Sequence, residues 1–108
     1  MKDILNKDEF TEITRGTKTL VIFYQQWCGL CKQLIYGLNV NEHKFPNGVY
    51  YGVDVESDYE WYSRKAHLKM LYPLTRIYEN NEIIYEISGL LYQTQIDEII
   101  NIIGDKTL

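Results

Sequence analysis

Apolar residues fall along this 108-residue chain in short blocks whose spacing alternates between extended and helical periods. Leu20-Val21-Ile22-Phe23-Tyr24 is an unbroken apolar run, so segment 19–25 reads as a strand buried on both faces, central in its sheet. Directly after it, Cys31, Leu34, Ile35 and Leu38 recur at i, i+3, i+4 and i+7, predicting a helix to about residue 39. Upstream, Asn6 is placed to cap a helix, Glu9 to reach back as in a capping box, and Leu5 to staple onto Phe10. Phe10 and Ile13 then face inward, and Gly16 stops the helix.

Beyond an irregular stretch over 41–48, segment 49–55 reads as a second strand. Ser57-Asp58-Tyr59-Glu60 reads as a capping box opening a helix to about Leu68, after which Pro73 breaks the chain. Segments 74–79 and 82–88 read as strands joined by Asn80-Asn81, a two-residue turn in which asparagine tolerates positive φ. A last helix carries Ile96, Ile99, Ile100 and Ile103 on one stripe, with Gln95, Asp97, Glu98 and Asn101 on the wet side. The order is helix, strand, helix, strand, helix, hairpin, helix. It predicts an α/β fold with a central mixed sheet and helices on both faces.

Composition narrows the function. The chain is 45% apolar and 24% charged, enough for one domain, 1–108, with a core that needs no covalent staple. A net charge of −4 gives no electrostatic footprint for nucleic acid or an anionic membrane. Neither a signal-peptide core nor an apolar run of spanning length is present, so the expected location is cytoplasmic. Ten tyrosines are read as rings paving the core edges with their hydroxyls wet.

Both cysteines stand in one motif, Trp27-Cys28-Gly29-Leu30-Cys31-Lys32, at the junction between the central strand and its helix. The first falls at or near the helix N-terminus, where free N–H groups and the helix dipole stabilise a thiolate. That is a site for dithiol–disulfide chemistry. Metal binding within one chain fails on ligand number, because one CxxC supplies two ligands and His43 and His67 lie too far apart in sequence to complete a finger; only a zinc shared across a dimer would satisfy the count. Covalent haem is excluded by Lys32, where CxxCH needs histidine. A purely structural role is weak, since closing so short a loop removes little chain entropy.

With this element order, the motif resembles thioredoxin over nearly the whole chain. Asp54 near the end of the second main strand, Pro73 and Gly89 after the last strand belong to the same likeness. The resemblance implies a thioredoxin-like fold, with Pro73 as the cis-proline beside the disulfide. Three departures stand out. Leu30 replaces the proline usual before the second cysteine. Ile22, six residues before the first cysteine, replaces a buried aspartate, and Gly52 replaces its lysine partner. Losing both charges together avoids burying one unpaired, but it removes the usual proton acceptor for the inner cysteine. Finally, Tyr72 precedes Pro73, where its ring would narrow a substrate groove or offer it a hydroxyl.

The catalytic assignment is Cys28 as attacking thiolate and Cys31, one turn inward, as resolving thiol. Trp27, Gly29, Leu30, Tyr72, Pro73 and Gly89 are assigned to substrate binding, the stretch around Pro73 through its backbone. Asp54 reads as a local cap rather than a base, and Lys32 as a solvated surface charge. The expected function is reduction of protein disulfides by a monomer with no bound cofactor and no metal. Its electrons would come from an NADPH-dependent thioredoxin-reductase-like flavoprotein or a small thiol. Two alternatives stay open: a non-catalytic thioredoxin-fold binding module or accessory subunit, and a glutaredoxin-like enzyme using a low-molecular-weight thiol.

Overall fold

The six residues Thr19–Tyr24 form the middle strand of a mixed, five-stranded sheet in a computed structural model that describes residues 1–45, 50–55 and 72–104. In chain order the elements are β1 (Lys2–Asp3), α1 (Lys7–Thr14), β2 (Thr19–Tyr24), α2 (Gly29–Val40), a 3-10 turn (Glu42–Lys44), β3 (Tyr51–Asp54), β4 (Leu74–Glu79), β5 (Glu82–Ser88) and α3 (Gln93–Gly104). Across the sheet the strands run β1-β3-β2-β4-β5. β3 is parallel to both β1 and β2, whereas β4 is antiparallel to β2 and to β5. The helix expected from Ser57, together with Trp61, His67 and Leu71, lies outside the described residues.

Alternation along β2 divides the core. Leu20 and Ile22 face one side with Leu34 and Leu38 of α2, Ile77 of β4, and Ile96 and Ile99 of α3. Val21 and Phe23 face the other side with Ile4, Val53, Leu74 and Tyr78, against which Phe10 and Ile13 of α1 pack. Both faces of β2 are therefore covered, as its unbroken apolar run requires. Below the first face Tyr50 is buried, its hydroxyl donating to Asn39 Oδ1 at 2.6 Å. Burial, and then the charge of Glu42, push that phenol above its ordinary pKa. On the second face the Arg76 guanidinium lies 5.3 Å from the Phe23 ring centre and bonds Glu86 and Tyr78. Burial opposes its charge, but those bonds outweigh burial and raise its pKa.

Three sequence expectations are corrected. Lys2–Asp3 adds an edge strand that no side-chain pattern announces. Both residues are exposed, and the strand is held by backbone bonds, Lys2 N–H to the Tyr50 carbonyl and Ile4 N–H to the Gly52 carbonyl. Asn6 does cap α1, accepting from Glu9 N–H at 2.8 Å, but Leu5 is exposed and Ile4 is the residue buried beside it. Gly16 does not supply a left-handed stop: α1 ends at Thr14 with Arg15 in the right-handed region. Instead, the Gly16 carbonyl accepts from Asn80 N–H in the β4–β5 turn.

That turn takes φ of 53° at Asn80 and 65° at Asn81, the left-handed pair a twisted hairpin needs. Asn81 also clasps α1, its side-chain amide donating to the Thr11 carbonyl at 2.9 Å and to Thr14 Oγ1 at 2.7 Å. Asn81→Ala adds backbone strain to the loss of those bonds and is expected to cost about 2 kcal/mol in urea unfolding. Asn81→Gly loses only the bonds and should cost less; equal losses would refute the strain component.

A row of directly opposed residues crosses the sheet at Gly52, Ile22, Thr75 and Ile87. A Cβ on Gly52 would come within 2.6 Å of Met1 Sδ and 3.0 Å of the Tyr24 ring. Thioether and ring therefore fill the space beside Ile22, which is wholly buried. Ile22→Asp would put a carboxyl in an apolar site, raising its folded pKa above the unfolded value of about 3.9. The sign follows: the loss of stability should be smallest below about pH 4 and grow by up to about 1.4 kcal/mol per pH unit above it, until the folded pKa is passed. Urea unfolding between pH 3 and 8 checks this, and a pH-independent loss would show the carboxyl reaching water.

Candidate active site

The register of β2 and β4 assembles the site. Phe23 opposes Leu74, and Leu74 opposes Ser88, so the C-terminal ends of β2 and β5 and the start of β4 share one end of the sheet. From that end β2 leads through Gln25, Gln26 and Trp27 into α2, Pro73 enters β4, and Gly89 leaves β5. Residues separated in sequence by the width of the domain thus arrive together.

Cys28 is the N-cap of α2, in extended backbone with φ of −86° and ψ of 110°. Its sulfur accepts the Cys31 N–H at 3.1 Å, the position a capping oxygen usually takes. Cys28 and Cys31 form a disulfide with their Cα atoms 5.1 Å apart. The two sulfurs differ in environment: Cys28 is partly exposed, and Cys31 is fully buried. The Lys32 N–H bonds the Cys28 carbonyl at 3.1 Å, closing the first turn with Leu30 where proline would leave no N–H of its own.

Around the pair, Trp27 is 77% exposed and Leu30 49% exposed. Gly29 is open, with nothing within 4 Å of where a Cβ would stand, so the chain's own packing does not require glycine there. The Tyr72–Pro73 bond is cis, in line with the resemblance. The Pro73 carbonyl accepts from Gly89 N–H at 2.8 Å, and Gly89 takes φ of 91°, so the two residues are tied across the mouth of the hairpin. Tyr72 is partly buried, its ring packed with the Val21–Phe23 cluster on the sheet face opposite Ile22. What remains for a groove at this position is chiefly backbone.

Two residues escaped the sequence reading. Leu90 and Tyr92 are exposed just after Gly89, at 45% and 77%, on the same end of the sheet as Trp27 and Leu30. Their non-helical position ahead of α3 was the available signal. Asp54, at the end of β3, is buried and accepts from Gln26 Nε2 at 2.7 Å, bracing the loop that carries Trp27. Among the described residues no group of three or more His, Cys, Asp or Glu side chains is placed to hold a metal ion.

Comparisons agree with this geometry. The Thioredoxin family matches over residues 2–102. Thioredoxin F2, chloroplastic, from Arabidopsis thaliana is 26% identical over 92 residues, covering 82% of this chain and 49% of the relative. The thioredoxin of Ophiophagus hannah is 32% identical over 75 residues, 68% of this chain and 70% of the relative. Among solved structures, Malassezia sympodialis thioredoxin superposes with a TM-score of 0.77 at 20% identity, covering 96% of this chain and 91% of that one. The chain spans about half the length of the plant relatives it matches. With the fold, the cis-proline and the CxxC disulfide in place, the chain belongs to the thioredoxin family.

Proposed function

We propose that this chain is a thiol–disulfide oxidoreductase that reduces protein disulfides by dithiol exchange. The observation that carries the reading is the Cys28–Cys31 disulfide at the N-terminus of α2, with one sulfur partly open and the other enclosed. In the reduced protein, the helix terminus favours a Cys28 thiolate. That thiolate attacks a substrate disulfide, forming a Cys28–substrate bond and releasing one substrate thiolate, which takes up a proton. Cys31 then loses its proton and attacks Cys28 Sγ, breaking the bond to substrate and freeing the second thiol. Two electrons pass from the protein dithiol to the substrate, and the Cys28–Cys31 disulfide returns.

Trp27, Gly29, Leu30, Gly89 and the backbone at Tyr72–Pro73 are proposed to hold an extended substrate segment across the sulfurs. The apolar exposed side chains support a substrate whose segment flanking the cysteine is itself apolar. No bound cofactor enters the exchange, since the sulfurs carry the electrons. An NADPH-dependent flavoprotein of the thioredoxin-reductase kind, or a small thiol, is the proposed electron source. Both cysteines are spent on the CxxC, and none is left for a structural bridge; this supports a reducing compartment, and we place the chain in the cytoplasm.

Cys31→Ser should accumulate mixed disulfides with protein substrates, seen as adducts on a non-reducing gel, while Cys28→Ser accumulates none. Wild type with dithiothreitol should reduce insulin at a rate at least about a hundredfold above either variant. The opposite trapping pattern would exchange the two roles. Absence of turnover together with full activity of the double serine variant in the cell would leave a binding module instead.

A further inference from the structure

The described residues bury one side-chain polar atom that has no hydrogen-bond partner, Thr75 Oγ1. Thr75 is wholly buried, directly opposite Ile22 on β2 and Ile87 on β5. Directly opposed residues share a face, and Ile22 faces the Leu34 and Leu38 side of α2, whose inner stripe begins with Cys31. Thr75 is also the first residue of β4 on that face, at the end of the sheet where α2 starts. The side chains next to Thr75 on that face are apolar: Ile22 directly opposite it, and Leu20 and Ile77 one row further from the disulfide. A hydroxyl there surrenders its water and gains nothing while the disulfide is closed. Valine has the same shape without that cost.

We propose that Thr75 is a positioning residue for the second step of the exchange, an inference that rests on the reductase reading. When the disulfide opens, Cys31 becomes a second buried polar group on the same apolar side. The Thr75 hydroxyl accepts from the Cys31 S–H in the dithiol, then turns to donate to the Cys31 thiolate as it forms. The proton leaves to the departing substrate sulfur. The Cys31–Cys28 bond forms, the Cys28–substrate bond breaks with its electron pair on the substrate, and Thr75 keeps its own hydrogen throughout. This supplies hydrogen bonding at a site where Ile22 offers none.

The other titratable groups on this face include Tyr24 of β2, whose hydroxyl donates to Asp3, and Tyr50 ahead of β3, whose hydroxyl donates to Asn39. β3 contributes Asp54, already bonded by Gln26. α2 contributes Cys28 and, on its exposed side, Lys32 and Tyr36. β5 contributes Tyr85, opposite Ile77 and one row further from the disulfide, with Glu98 of α3 acting on it.

Single-turnover reduction of a two-reporter disulfide follows release of the first and second thiols separately across pH. Wild type, Thr75→Val, Thr75→Ser and Asp54→Asn are compared, with thermal unfolding of each. Thr75→Val should be at least as stable as wild type and release the first thiol normally. It should release the second about tenfold more slowly at pH 7, with a higher pH midpoint, and Thr75→Ser should restore both rate and midpoint. A wild-type second step in Thr75→Val, or in Thr75→Ala should valine not fold, would overturn the inference. So would a Thr75→Ser variant as slow as valine, or a midpoint that moves only in Asp54→Asn. Wild type that releases neither thiol would instead overturn the reductase reading itself.

Discussion

A strand enclosed on both faces can end in only a few ways, and the end of β2 decides everything at the site. Leu20 and Ile22 are claimed by α2 and α3, Val21 and Phe23 by α1 and the β3–β4 side chains, and both edges are hydrogen-bonded to β3 and β4. The strand therefore has no freedom of register. Its exit at Tyr24 is fixed, and Cys28 is delivered to the first turn of α2, where a sulfur replaces the usual capping oxygen. Capping and reactivity are one interaction here: the N–H that orders the helix start is also a donor to a thiolate at Cys28. Burial of the next-turn cysteine follows from helical spacing, because Cys31 heads the stripe that Leu34 and Leu38 continue.

Much of this was legible in side-chain order. The two-sided apolar run of β2, the i, i+3, i+4 stripe of α2 and the Asn80-Asn81 turn each have a local cause, and the strand ends at Glu79, Glu82 and Ser88 fall where that turn puts them. What was not legible is held by backbone or by partners remote in sequence. β1 is two charged, exposed residues whose pairing uses main-chain groups alone. The choice of Ile4 over Leu5 depends on which side of the entering chain meets Val53 and Phe23, a tertiary fact. Tyr72 invited a reading toward the groove because it adjoins Pro73, yet its ring packs with Val21 and Phe23 on the other face. The unpartnered hydroxyl of Thr75 is invisible without the pairing that places it across from Ile22.

The absent charge pair at Ile22 and Gly52 has a physical logic of its own. A buried carboxylate is tolerable beside a cation and costly without one, so either both are kept or both are removed. Here neither is present, and the space at Gly52 is taken by the Met1 thioether and the Tyr24 ring, whose hydroxyl donates to Asp3 at 2.8 Å. Apolar packing of this kind is stabilising or neutral relative to the ion pair it replaces, and its demand on the fold is shape rather than charge. The first residues of the chain thereby become part of the wall behind the site.

The same first residues also bear on how copies of the chain behave toward one another. With β1 covering the outer side of β3, the long rim left without a partner strand among the described residues is that of β5. Ile83 and Ile84 are half exposed there, an invitation to edge-to-edge aggregation that the exposed charge of Glu82 opposes, while Glu86 is held by Arg76. A second copy docking strand to strand would have to bring its own Glu82 into the same ladder, a like-charge contact that disfavours such a ribbon.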